Sequence, residues 1–118
     1  MSQTLINKKP YKFTGEILDI VYESITLPDK KIKPKVVLKV RSKLGKEYSI
    51  SEAYVLENNV PVCKGIWFNL DKEGNFIKGS TLHSVIDFFD IKVLEELKGK
   101  TVVLRHNPKR YIVIECIK

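Results

Sequence analysis

Apolar side chains recur at every second residue in short runs, and each run is broken within a few positions by Gly, Pro, Asn or Asp. A period of two sends alternate side chains to opposite faces of an extended chain, so the pattern commits most of the polypeptide to half-buried β-strands. The first run is Tyr11 to Tyr22, with Gly15 inside it at a position that suits a bulge or a sharp bend. The clearest is Lys35 to Arg41, where Val36, Leu38 and Val40 face one way and Lys35, Val37, Lys39 and Arg41 the other. Ser42-Lys43-Leu44-Gly45-Lys46 makes a tight connection into a third strand, Glu47 to Ser51, with Tyr48 and Ile50 on one side. Residues 24 to 34 hold two prolines, Asp29 and three lysines, the composition of a long exposed basic loop. Between Glu52 and Gly79 short apolar pieces are interrupted by Asn58-Asn59, Pro61 and Gly65. Around the turn Asp71 to Asn75, Gly65 to Leu70 is expected to pair with Phe76 to Lys78.

After Gly79 the period changes. Leu82, Val85, Ile86 and Phe89 fall at i, i+3, i+4 and i+7, the single apolar stripe of a helix over 81 to 89, with Ser80 or Thr81 as its cap. Lys92 to Leu97 adds one or two turns that Gly99 stops. Two closing strands, Thr101 to Arg105 and Tyr111 to Ile117, flank His106-Asn107-Pro108-Lys109-Arg110. Residues 1 to 10 show no periodicity and read as a loose arm, which leaves 11 to 118 as one domain. The expected fold is mainly β with one helix: a five-stranded barrel with the helix between strands three and four.

Charge is partitioned along the chain. Of 21 basic and 14 acidic side chains, eight basic residues and no acid lie between Lys30 and Lys46: Lys30, Lys31, Lys33, Lys35, Lys39, Arg41, Lys43 and Lys46. Five more, again with no acid, lie between Lys98 and Arg110: Lys98, Lys100, Arg105, Lys109 and Arg110. From Glu47 to Glu96 the balance reverses to four basic against nine acidic residues. A face that meets polyanionic phosphate gains from such segregation through steering and counterion release.

No apolar run reaches the roughly 18 residues of a membrane span, and the first ten residues lack the order of a secretory signal, so no membrane partner and an intracellular, cytoplasmic setting are expected. Cys63 and Cys116 have no metal-ligand spacing, and His83 and His106 stand far apart, so neither metal nor cofactor is expected. No glycine-rich phosphate loop or nucleophile elbow is present, and Asp87, Asp90, Glu95 and Glu96 read as the solvated side of the helical region. These absences speak against an enzyme. A single alanine and a single glutamine beside 18 Lys and 13 Ile suggest an AT-rich genome.

The segment from Gly65 to Ile117 resembles small OB-fold single-stranded nucleic-acid-binding proteins of phages, viruses and archaea. The resemblance is carried by Ile66-Trp67-Phe68, by Lys78-Gly79-Ser80-Thr81-Leu82 opening the helix, by Leu97-Lys98-Gly99-Lys100-Thr101-Val102-Val103, and by Tyr111-Ile112-Val113-Ile114. It implies that a single strand, DNA ahead of RNA, lies across strands two and three between the loops joining strands one to two and four to five. The charge count points to the same places. The expected site is therefore Lys30, Lys31, Lys33, Lys35, Lys39 and Arg41 with Arg105, Lys109 and Arg110. Aromatic stacking platforms would come from Tyr48 and Trp67, with Tyr54 and Tyr22 as further candidates. Phe88 and Phe89 are assigned to the core. A homo-oligomer or a replication-protein partner remains open, and the alternative function is a protein-interaction or architectural module on the same barrel.

Overall fold

The computed structural model describes residues 12–106 and 112–117. Seven strands and one helix follow in the order β1 (Lys12–Thr26), β2 (Ile32–Ser42), β3 (Glu47–Ile50), β4 (Glu52–Glu57), β5 (Val60–Gly65), α1 (Thr81–Phe89), β6 (Thr101–His106) and β7 (Ile112–Glu115). A 3-10 turn, Leu94–Leu97, separates α1 from β6. The chain is mainly β, as its alternation requires. The strands form one mixed sheet in the order β3-β2-β1-β6-β7-β4-β5, with β4 and β7 parallel and every other pair antiparallel.

Strand count and helix position differ from expectation: seven strands replace five, and α1 follows the fifth strand instead of the third. Two local causes account for this. The expected third strand ends at Ile50 as β3 and, past Ser51, the chain continues into an unexpected β4, while Asn58-Asn59, both at positive φ (53° and 64°), make a two-residue hairpin turn that pairs Glu52–Glu57 with Val60–Gly65. Of the hairpin expected between 65–70 and 76–78, only the Asp71 to Asn75 turn and a single Leu70–Phe76 bridge form. The supposed long loop over 24 to 34 is mostly strand, since Thr26 pairs with Ile32 and only residues 27 to 31 turn.

β1 is the hub of the sheet. Its first third, Lys12 to Glu16, pairs with β6, and from Gly15 onward it pairs with β2. Gly15 is buried where both neighbours meet, and the register slip lies beyond it, between Ile17 and Asp19, so Leu18 is the bulged residue. There Ile17 turns its backbone to the loop before β6, accepting from Gly99 and donating to Lys100 at 2.8 and 3.0 Å.

The core gathers the predicted faces: Val36, Leu38 and Val40 from β2, Ile17 from β1, Leu104 from β6 and Ile114 from β7, closed by Leu82, Val85 and Ile86 of α1 and by Leu94 and Leu97. Ser80 caps α1 by accepting from the His83 amide, and Asp90 ends it in the left-handed region. Phe88 and Phe89 are half-buried against this core, in an edge-to-face pair with centroids 5.0 Å apart.

Cys116 also joins the core, and burial pushes its thiol from 9.0 up to about 12. In the unfolded chain the thiol ionises near its ordinary value, so above that pH the unfolded state releases a proton that the folded state keeps. Stability is therefore expected to fall between about pH 9 and pH 12, by up to about 1.4 kcal/mol per pH unit. Urea titrations of the wild type and Cys116→Val across this range check it: the variant loses that part of the slope.

Candidate nucleic-acid interface

Strand pairing rearranges the charges that the sequence segregates. Lys35, Lys39 and Arg41 stand on the outer face of β2, but their β1 partners are Glu23, Asp19 and Glu16, and Arg41 also faces Glu47 of β3. Arg41 bridges Glu47 at 3.4 Å, and Lys39 donates to Ser49 at 2.8 Å. Asp19 stays ionised opposite Lys39, its carboxyl held below the ordinary value by the Ile20 amide first and by Lys98, at 3.2 Å, second. Basic stretches of one strand thus meet acids of its neighbours, and most of the β2 row is offset in place. Lys33 is different: its partner is Ile25. With Lys30 and Lys31 it sits at one end of the β1–β2 pair, opposite the end where Gly15 meets Ser42.

Arg105 leaves the expected site. Thr101, not Arg105, is level with Glu16 and Arg41, and Arg105 lies four residues further along β6. Its guanidinium donates to Glu115 at 2.9 Å and lies 3.9 Å from the Tyr54 ring centroid, while Lys12 holds the same carboxylate at 3.0 Å. Both partners of the Arg105–Glu115 pair are mostly covered, with side chains 14% and 16% exposed. This cluster ties β1, β6, β7 and β4 together and occupies Tyr54 as well. Arg105→Ala is expected to lower stability by about 1–3 kcal/mol, because it takes from a mostly covered carboxylate the better buried of its two cations and leaves only Lys12. Oligonucleotide affinity should stay within about twofold; denaturation and binding measurements on one preparation separate the two roles. Lys109 and Arg110 lie outside the described residues.

The other aromatic candidates have separate surroundings. Trp67 bridges Lys35 on the outer face, with the ammonium 5.0 Å from its ring centroid, and is half-buried beside Gly65. Tyr22 packs edge-on against Phe68 at 5.2 Å. Tyr48 faces the core side opposite Val40, near the end of the sheet where β2 turns into β3. Its ring centroid is 5.7 Å from that of Phe13, which in turn is 6.3 Å from His106, and the Lys46 ammonium is 5.5 Å from the Tyr48 ring centroid.

Among the described residues, Phe13, Thr14, Ser42, Lys43, Leu44, Lys46, Tyr48 and His106 line an open cleft of ≈ 420 Å³. Local hydrogen bonds fix its rim: the Ser42 amide donates to Lys46 at 2.8 Å, the Gly45 amide returns to Ser42 at 2.9 Å, and Gly45 takes φ 88°. Leu44 is held 93% exposed at the turn. The cleft combines three aromatic rings, an exposed leucine and two lysines, a set suited to a flat apolar ligand carrying negative charge. Sequence reasoning nominated Tyr48 alone of this group. Lys43 and Lys46 were legible as charge, and a leucine between lysines at a hairpin tip was the available signal. Phe13 reaches Tyr48 on one side and His106 on the other because β1 pairs with both β2 and β6.

The molecule is thus a mainly β domain with an aromatic, lysine-rimmed cleft at one end of its sheet. No protein-family model, curated protein or solved structure matches the chain. Among the described residues, no helix is long and apolar enough to cross a membrane.

Proposed function

We propose that this protein binds single-stranded nucleic acid without catalysis, on an OB-like barrel, with the strand seated at the Phe13–Tyr48–His106 cleft. Support for the barrel comes from β3 and β4, which only Ser51 separates. Taken as one bent strand, they pair with β2 on one half and, in parallel, with β7 on the other, so the ladder β2-β1-β6-β7 meets itself. The Asn58-Asn59 hairpin is then an addition to the third strand, and α1 lies between the third and fourth.

The observation that carries the function is the ring cluster with its lysines. A base presents a flat face that can stack on the open side of the half-buried Tyr48 and Phe13 or on the exposed His106, while Lys43 and Lys46 sit where the attached phosphates would run. Lys39, Arg41 and Lys35 with Trp67 form the approach along β2, and their cross-strand acids leave them a smaller share of the attraction.

A fluorescence-anisotropy titration with a labelled single-stranded oligonucleotide, as DNA and as RNA, at low and moderate salt tests this. Affinity is expected to fall steeply with salt, and Lys43→Ala with Lys46→Ala to weaken it more than Lys39→Ala with Arg41→Ala. Weak binding that ignores salt would instead fit the interaction-module alternative.

A further inference from the structure

Three hairpin turns share one hydrogen-bond pattern. In residues 27–31, 42–46 and 71–75 the first amide donates to the carbonyl four residues on, and the fourth amide donates back to the first carbonyl. The fourth residue of each takes positive φ: Gly45 at 88°, Gly74 at 85°, and Lys30 at 68°. Two of the turns use glycine where a left-handed backbone is needed, whereas the first holds a lysine there against the steric preference of a side chain.

That turn ends a two-stranded ribbon. The short segment at Ile66 to Phe68 flanks β2 as far as Pro34, and beyond it Ser24 to Thr26 pair only with Ile32 to Pro34. The tip presents Lys30, Lys31 and Lys33, all exposed, and between the last two stands Ile32, 66% exposed. Asp29 is the acid at the tip, and its carboxylate accepts from the Lys31 amide at 3.0 Å. Glu23 lies further back, across from Lys35.

We propose that this ribbon tip is a second nucleic-acid contact, one that takes the groove of a duplex. Two strands spaced by about 4.8 Å fit the roughly 12 Å width of a major groove. The three lysines then meet phosphates on the rims, and Ile32 meets the base edges between them, where an apolar side chain can contact thymine methyl groups. The surface lies at the opposite end of β1–β2 from the Tyr48 cleft, so it does not depend on the single-strand reading. Together the two sites would favour a junction of single and double strand.

The test is a set of anisotropy titrations with a short duplex, a single-stranded oligonucleotide and a junction of both. The proteins are wild type, Lys30→Ala/Lys31→Ala/Lys33→Ala, Ile32→Ser, Lys30→Gly and Tyr48→Ala. The triple variant is expected to lose at least about tenfold in duplex affinity while single-strand affinity changes less than about threefold. Ile32→Ser should weaken duplex binding without changing its salt slope. Lys30→Gly should raise the melting temperature yet weaken duplex binding. Tyr48→Ala should do the reverse of the triple variant, sparing the duplex.

A wild type that binds single strands but not the duplex overturns the ribbon proposal and leaves the cleft standing. A wild type that binds the duplex alone overturns the cleft. Equal effects of the triple variant and Tyr48→Ala on both ligands would mean a single shared site and overturn the ribbon contact.

Discussion

Tyr48→Ala is expected to weaken the proposed binding of a single-stranded oligonucleotide by roughly 5- to 150-fold, the range set by about 1–3 kcal/mol of stacking per base. Tyr48 is the ring best placed for this contribution. Phe13 packs against it at 5.7 Å and holds its orientation, while the Lys46 ammonium lies over its ring, 5.5 Å from the centroid, and would swing out to a phosphate as a base stacks there. The effect belongs to the ring and not to the hydroxyl, so Tyr48→Phe should keep most of the affinity and Tyr48→Trp should keep or raise it. Phe13→Ala should lower affinity too, by loosening Tyr48. Anisotropy at one fixed salt concentration measures all four variants; equal affinity for wild type and Tyr48→Ala would remove the cleft from the binding site.

Gly15→Val destabilises the fold by about 3 kcal/mol or more, the upper end of overpacking costs. A Cβ at Gly15 would stand 2.8 Å from Val40 Cγ1, 2.9 Å from the Arg41 carbonyl oxygen and 3.1 Å from Leu104 Cδ1. The two side-chain contacts could relax at some cost. The carbonyl cannot retreat without disturbing the β1–β2 ladder, because Gly15 is paired with Ser42 on one side and Val102 on the other. For a domain whose total stability is on the order of 5–15 kcal/mol, that is a large fraction. Gly15→Ala should fall between wild type and Gly15→Val. Denaturant midpoints give the order, and a Gly15→Val midpoint equal to wild type would contradict the packing described for β1.

Most strands were legible because their faces alternate: Val36, Leu38 and Val40 read as one buried row and are one. Helix α1 was legible down to its residues, since its stripe and its Ser80 cap agree. What escaped was the handling of turns. Asn58-Asn59 was read as an interruption although two asparagines tolerate the left-handed backbone of a tight hairpin, and the prolines and lysines of 24 to 34 suggested a loop where cross-strand pairing carries the chain nearly to the tip. The site was half legible for a different reason. A count along the chain sees Lys35, Lys39 and Arg41 as an unbroken positive run, but the sheet sets Glu23, Asp19, Glu16 and Glu47 beside them. Arg105 likewise counted as free charge until Glu115 and Tyr54, remote in sequence, closed around it.

Seating of the strand at the cleft is measured most directly by following backbone amide chemical shifts while a short single-stranded oligonucleotide is added to the isotope-labelled protein. The account predicts that the largest shifts gather at Phe13, at Lys43 to Tyr48 and at His106, with smaller ones along Lys39 and Arg41. Shifts confined to other faces of the sheet, or none at saturating oligonucleotide, would contradict it.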